Sequence, residues 1–145
     1  MSHHKRSRQR PQVIVGVTRS ASGIAALRTA AAEAIQRGAP LHAVQVSHSE
    51  FTPVDDFTGI DEALADAFGS LPRGLEVHRE LLHPPVADAL IARAHHPGDL
   101  LVLGAGGSRE PLWRRRHWSH SVTRACLRKA RCAVVVVSGG GAPIG

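Results

Sequence analysis

Gly104-Ala105-Gly106-Gly107-Ser108 follows directly on the apolar run Leu100-Leu101-Val102-Leu103, and a helix is predicted to start near Trp118. A buried strand that empties into a glycine-rich turn ahead of a helix presents bare backbone N–H groups, the chemistry by which proteins hold phosphate. The same turn reads equally as a tight bend that relieves crowding at a strand end. Ser121, near the start of the following helix, supplies a hydroxyl for a phosphate contact or for a helix cap. Arg19, Arg109 and Arg114 to Arg116 either ring an anion in that crevice or form a solvated basic surface. Trp113 and Trp118 flank the arginine loop and read as loop anchors or a subunit contact rather than a ligand cover.

Other chemistries find no pattern. His95 and His96 are adjacent and point to different helix faces, His78 and His83 are separated by an irregular segment, and no HExxH-like spacing occurs, so no metal site is expected. His117 and His120, three apart, could join an anion site when protonated. No nucleophile elbow or carboxylate pair is present, so no catalytic residue is assigned and an enzyme is not expected. Asp99 leads a strand at the end away from the crevice and reads as a backbone cap. Cys126 and Cys132 form no CxxC pair and read as buried, reduced thiols of a cytoplasmic protein.

The formal net charge is +6, concentrated in the tail (Lys5, Arg6, Arg8, Arg10), the arginine loop, and the last helix with its exit (Arg124, Arg128, Lys129, Arg131). With no tyrosine and 3% aromatic residues there is no base-stacking platform, and nucleic acid is not the expected partner. No apolar run approaches the ~20 residues needed to span a membrane. The basic N-terminus has no apolar core behind it, so it is not read as a secretory signal.

The elements that must position the turn follow from periodicity. Gln12 to Val17 is a β-branched apolar run, the pattern of a strand buried on both faces. Ser20 or Ser22 caps a helix whose apolar positions are Ile24, Leu27, Ala31 and Ile35, and which stops at Arg37-Gly38. A strand from Leu41 to Val46, a loop over 47–58 and a short helix carrying Ile60, Leu64 and Phe68 come next. Leu75 to Leu81 alternates apolar and polar residues, which places it at a sheet edge. Pro84-Pro85 opens a helix with Val86, Ala89, Leu90 and Ala94 inward, and Pro97-Gly98 closes it before the fourth strand. The last helix carries Val122, Cys126, Leu127 and Ala130, and the run Ala133 to Val137 is the fifth strand. Five strands alternating with four helices mean an α/β fold, an open doubly wound parallel sheet with helices on both faces, whose ligands sit beyond the carboxyl ends of strands. The domain is expected over 12–138, after a disordered basic tail (1–11) and before a flexible glycine-rich end (139–145).

Gly16-Val17-x-x-Ser20 with Ala25-Ala26-Leu27-Arg28 resembles the opening of the universal stress protein family. Asp99 to Gly104, Ser121-Val122-Thr123 and Cys132 to Val137 resemble its ending. The resemblance implies strand order 3-2-1-4-5, a stress-response role and a homodimer, with Ala133 to Val137 the open apolar edge available for pairing. It also implies ATP or a related phosphate ligand, held by Gly-x-x-Gly, nine residues, then Gly-Ser or Gly-Thr. Gly104 to Gly107 match the first half and Ser121 the hydroxyl, but His120 stands for the second glycine and twelve residues (108–119) intervene. Thr18 and Arg19 stand where the family often has an aspartate near the nucleoside, which removes an acceptor and adds a cation. The candidate binding residues are Val17, Thr18, Arg19, Val46, Gly104, Gly106, Gly107, Ser108, Arg109, His120, Ser121 and Val122. The alternative is a dimeric regulatory or protein-interaction module that binds no nucleotide, its basic loop contacting an acidic protein or another anion.

Overall fold

Val13–Gly16 forms the central strand, β1, with every residue buried. Its odd and even side chains serve different cores: Val13 and Val15 enter one cluster and Ile14 the other, which is why the run is continuously apolar. β4 (Leu100–Gly104) is built the same way, with Leu100 and Val102 on one side and Leu101 and Leu103 on the other. The structure, a computed structural model, describes residues 10–47, 56–106 and 120–139. The tail to residue 9, the loop residues 48–55, the span 107–119 that includes Gly107, Ser108, Arg109, Trp113, Arg114–Arg116, His117 and Trp118, and residues 140–145 lie outside it.

β2 (Leu41–Val46), β3 (Val77–Leu82) and β5 (Ala133–Val137) complete a parallel sheet in the order β3-β2-β1-β4-β5. Val13 is in register with Leu41 on one side and Leu100 on the other, so the tips of β1, β2 and β4 emerge together. The helices are α1 (Ala21–Arg37), α2 (Thr58–Phe68), α3 (Val86–Arg93) and α4 (His120–Lys129). Leu27 of α1 and Ile60 and Leu64 of α2 fill the core on one face, while Leu90 of α3 and Cys126 of α4 fill it on the other.

Several boundaries and faces differ from expectation. β1 is shorter than 12–17, β3 runs Val77–Leu82 rather than 75–81, and α3 begins at Val86 with Pro85 extended at its N-cap. Ile35 is 47% exposed because α1 packs on its small row Ala26, Ala30, Ala31 and Ala34 with Leu27, leaving Ile35 on the flank. Leu127 is 55% exposed, one position past the inward stripe of Thr123, Cys126 and Ala130. Cys132 is half-buried rather than buried, and both cysteines are free thiols.

The amino ends of the strands are tied by a polar cluster under α3. Arg93 grips Glu80 through two bonds, Nε to Oε1 at 2.6 Å and Nη2 to Oε2 at 2.8 Å, and Glu80 Oε2 lies 2.6 Å from His42 Nδ1. Arg93 also donates to Gln12 Oε1, and the Gln12 amide donates to Asp99 Oδ1 at 3.0 Å, so Asp99 caps backbone as its position suggested. The Arg93 guanidinium, aided by His42 and working against partial burial, draws the Glu80 carboxyl down to about 2 from 4.5. A depressed carboxyl contributes stability above its unfolded value and loses it as pH falls toward the folded one. Melting temperature should therefore fall for the native chain between pH 4.5 and about 2 more steeply than for Glu80→Gln, with the two curves converging at the acid end. Parallel curves in a thermal melt series would remove this role for the pair.

Candidate functional site

β1 delivers Val17, 3% exposed, then Thr18 and Arg19, and Ser20 caps α1 by accepting from the Gly23 amide at 3.1 Å. The cap belongs to a row of hydroxyls. Thr18 Oγ1 lies 2.9 Å from Ser20 Oγ, and Ser20 Oγ lies 3.2 Å from Ser22 Oγ. Ser22 Oγ in turn accepts from the Gly106 amide at 3.2 Å, bridging from the start of α1 to the turn after β4. The row thus links the tip of β1 to the tip of β4, at the carboxyl end of the sheet.

Close approach makes this bridge. A Cβ at Gly104 would stand 2.7 Å from Ser22 Oγ, 2.8 Å from the Ser22 carbonyl carbon and 2.9 Å from the Gly23 nitrogen. One at Gly23 would stand 2.0 Å from Thr18 Oγ1 and 2.4 Å from the Thr18 carbonyl oxygen. The two glycines let the β4 tip, the first turn of α1 and the exit of β1 meet with no side chain between them. Gly106 has φ +101°, a left-handed conformation that glycine adopts freely, and this aims its N–H back at Ser22. Ala105 donates to the Val137 carbonyl at 2.8 Å, so the neighbouring tip of β5 is held in line.

The predicted residues divide. Val17, Thr18, Gly104 and Gly106 come together around Ser20 and Ser22. Arg19 is turned toward α2, where its guanidinium meets Glu62 at 2.9 Å and Asp66 at 3.8 Å in an exposed pair. Val46 is buried at the end of β2, on the other side of β1 from the turn. His120 and Ser121 open α4, and Val122 packs into the core shared by α3 and α4. Gly107, Ser108 and Arg109 lie outside the described residues.

Ser22 is the residue that sequence reasoning weighed only as an alternative helix cap. The signal was present as the Ser20-x-Ser22-Gly23 spacing, but its partner is 84 positions away. Burial, with Cys132 nearby, pushes the Cys126 thiol up to about 11, and burial also raises Cys132, which disfavours the thiolate at both.

Over residues 10–138 the chain matches the universal stress protein family. It belongs to that family. The chain is similar to a universal stress protein crystallised in complex with cAMP, at 22% identity and TM-score 0.62, over 89% of this chain and 97% of that one. The universal stress protein UspA of Lactobacillus plantarum is 26% identical with TM-score 0.58, over 88% and 98%. The universal stress protein of Archaeoglobus fulgidus in complex with dAMP is 23% identical with TM-score 0.58, over 89% and 98%. No curated protein matches the sequence. No helix among the described residues is long and apolar enough to cross a membrane.

The packing of Gly104 is open to a direct test. Gly104→Ala places a methyl against two backbone atoms of α1 that cannot yield, an overpacking cost of about 1–3 kcal/mol. The variant should melt several degrees lower by calorimetry. An unchanged Tm would mean the strand tip and the helix start are free to part.

Proposed function

We propose that this universal stress protein takes a phosphate-bearing ligand of the adenine-nucleotide class, ATP included, at the mouth beyond β1 and β4. The observation that carries the reading is the Gly106 amide donating to Ser22 Oγ between the two strand tips. A backbone donor is already presented there to an oxygen, and a rotation of Ser22 would pass that donor to a phosphate oxygen. In the present rotamer Ser22 Oγ also lies 3.2 Å from Ser20 Oγ. Thr18 and Ser20 add hydroxyls, Gly104 lets the first turn of α1 press onto the β4 tip beside them, and Ser121 and the sequence-predicted Gly107, Ser108 and Arg109 are further candidates. Thr18 carries no charge, so recognition rests on the phosphate more than on the sugar. The complexes of two relatives with cAMP and dAMP agree with this ligand class. No catalytic step is assigned.

Isothermal titration of the full chain with AMP, with ATP and magnesium, and with inorganic phosphate tests the reading. Heat is expected from both nucleotides, with Ser22→Ala binding about two- to fivefold more tightly because its competing acceptor is gone. No heat from any of the three at millimolar concentration would end it.

A second reading, a dimeric regulator, is favoured by the contrast between the two sheet edges. β3 carries His78, Arg79 and Glu80 along its edge, the usual protection of an open strand, whereas β5 reads Ala-Val-Val-Val-Val. Ala133 is exposed and Val134 to Val136 are only half-buried. Two copies pairing through β5 about a two-fold axis would cover this edge. Sedimentation equilibrium should give a dimer for the native chain and a monomer for Val135→Lys, and a native monomer at high concentration would exclude the pairing.

A further inference from the structure

Among the described residues the cations of α4 contrast with the arginines that the rest of the fold pairs, although Arg10 and Arg73 also meet no carboxylate. Arg19, Arg37, Arg79 and Arg93 each meet a carboxylate, and Arg28 donates to the carbonyls of Ala67 and Asp66. Among the described residues no carboxylate pairs with Arg124, Arg128, Lys129 or Arg131, all of them exposed. Glu110 is the single acidic residue after Asp99. Arg128 and Lys129 in the last turn of α4 answer the helix dipole, but Arg124 does not reach that end, and Arg124 and Arg128 repel each other at i, i+4. Leu127, 55% exposed, follows Arg124 by three positions on α4, and Arg131 lies just past the helix end. Beside it, Ser121, Arg124, Ala125, Arg128 and Lys129 line a hollow of about 320 Å³.

We infer that the outer face of α4 is a docking surface for an acidic segment of another protein, a helix carrying Glu or Asp at helical spacing around an apolar residue. Guanidinium forks suit carboxylates, which they bind in pairs, and Arg124 and Arg128, which meet no carboxylate among the described residues, lie on one stripe that matches a row of them. Leu127 decides between anions. A helical protein partner would bury it against its own apolar residue, whereas a phosphodiester backbone offers it nothing. Residues 121–139 contain no Phe, Trp, Tyr or His on which a base could stack. The apolar side of α4 is committed to the core through Cys126, Val122 and Ala130, so the helix has no face to sink into lipid. The surface adjoins the phosphate mouth at Ser121 but rests on Arg124, Leu127 and Arg128, so either can fail without the other.

Fluorescence anisotropy on the full chain tests it with four probes. These are a labelled synthetic helical peptide of Glu and Leu in heptad spacing, the same peptide with Gln for Glu, a labelled mixed-sequence DNA duplex, and phosphatidylserine vesicles that compete for the peptide. The acidic peptide should bind, and Arg124→Gln with Arg128→Gln should weaken it about tenfold while the melting temperature holds. Leu127→Ser should weaken it about threefold without changing the slope of log affinity against log salt. Equal binding of the Gln peptide, tighter binding of the duplex, competition by the vesicles stronger than that of unlabelled peptide, or indifference to Leu127→Ser would each overturn the proposal.

Discussion

The contact on which this molecule's functional end depends is the one between the tip of β4 and the first turn of α1. Gly104 lies so close to Ser22 and Gly23 that a single added carbon would collide with backbone. Because β1 and β4 are hydrogen-bonded neighbours, that contact also sets where the chain leaving β1 can go: through Thr18 and Ser20 directly into the helix cap. A sheet with its tips in register and a helix start pressed onto one of them has a small, polar, backbone-lined end. Everything proposed about phosphate follows from that geometry and from nothing in the side-chain charges, since the nearby Arg19 spends its charge on α2.

The two ends of the sheet use opposite strategies. At the amino end, order comes from long charged side chains: Arg93, Glu80, His42, Gln12 and Asp99 reach across strands and α3, and desolvation is offset by paired hydrogen bonds. At the carboxyl end the ties are short hydroxyls and amides. Long side chains there would crowd the close contact of the β4 tip with α1, whereas hydroxyls satisfy helix and turn donors and still leave alternative partners available.

Much of this was legible in the sequence, for identifiable reasons. β1 and β4 could be read as buried on both faces because each feeds two cores, and the polar alternation of β3 correctly marked an edge. The cap at Ser20 and the stop at Gly38 are local chemistry, and local chemistry survives into the fold. The residues misread were those whose fate is decided by a distant neighbour. Ile35 continues the spacing of Ile24 and Leu27, yet a row of alanines offers a closer packing surface and turns it outward. Arg19 sits where an anion would want it, but nothing in its surroundings along the chain announces Glu62 and Asp66. The Ser22 to Gly106 bond is of the same kind, linking a helix cap to a turn across most of the domain.

The distribution of charge then becomes an argument about roles. A chain of net charge +6 could carry its excess anywhere, but Arg19, Arg37, Arg79 and Arg93 are each met by a carboxylate within the fold. The excess in the described part of the last third falls on α4, beside an edge strand that carries no charge at all. Like charges one turn apart weaken a helix, and an uncharged valine edge invites unwanted pairing. Both are stability liabilities at a part of the molecule remote from the amino-end cluster, and both disappear once another surface covers them. The α4–β5 side is therefore where the proposed protein contacts fall, and the strand tips are where the proposed phosphate ligand falls.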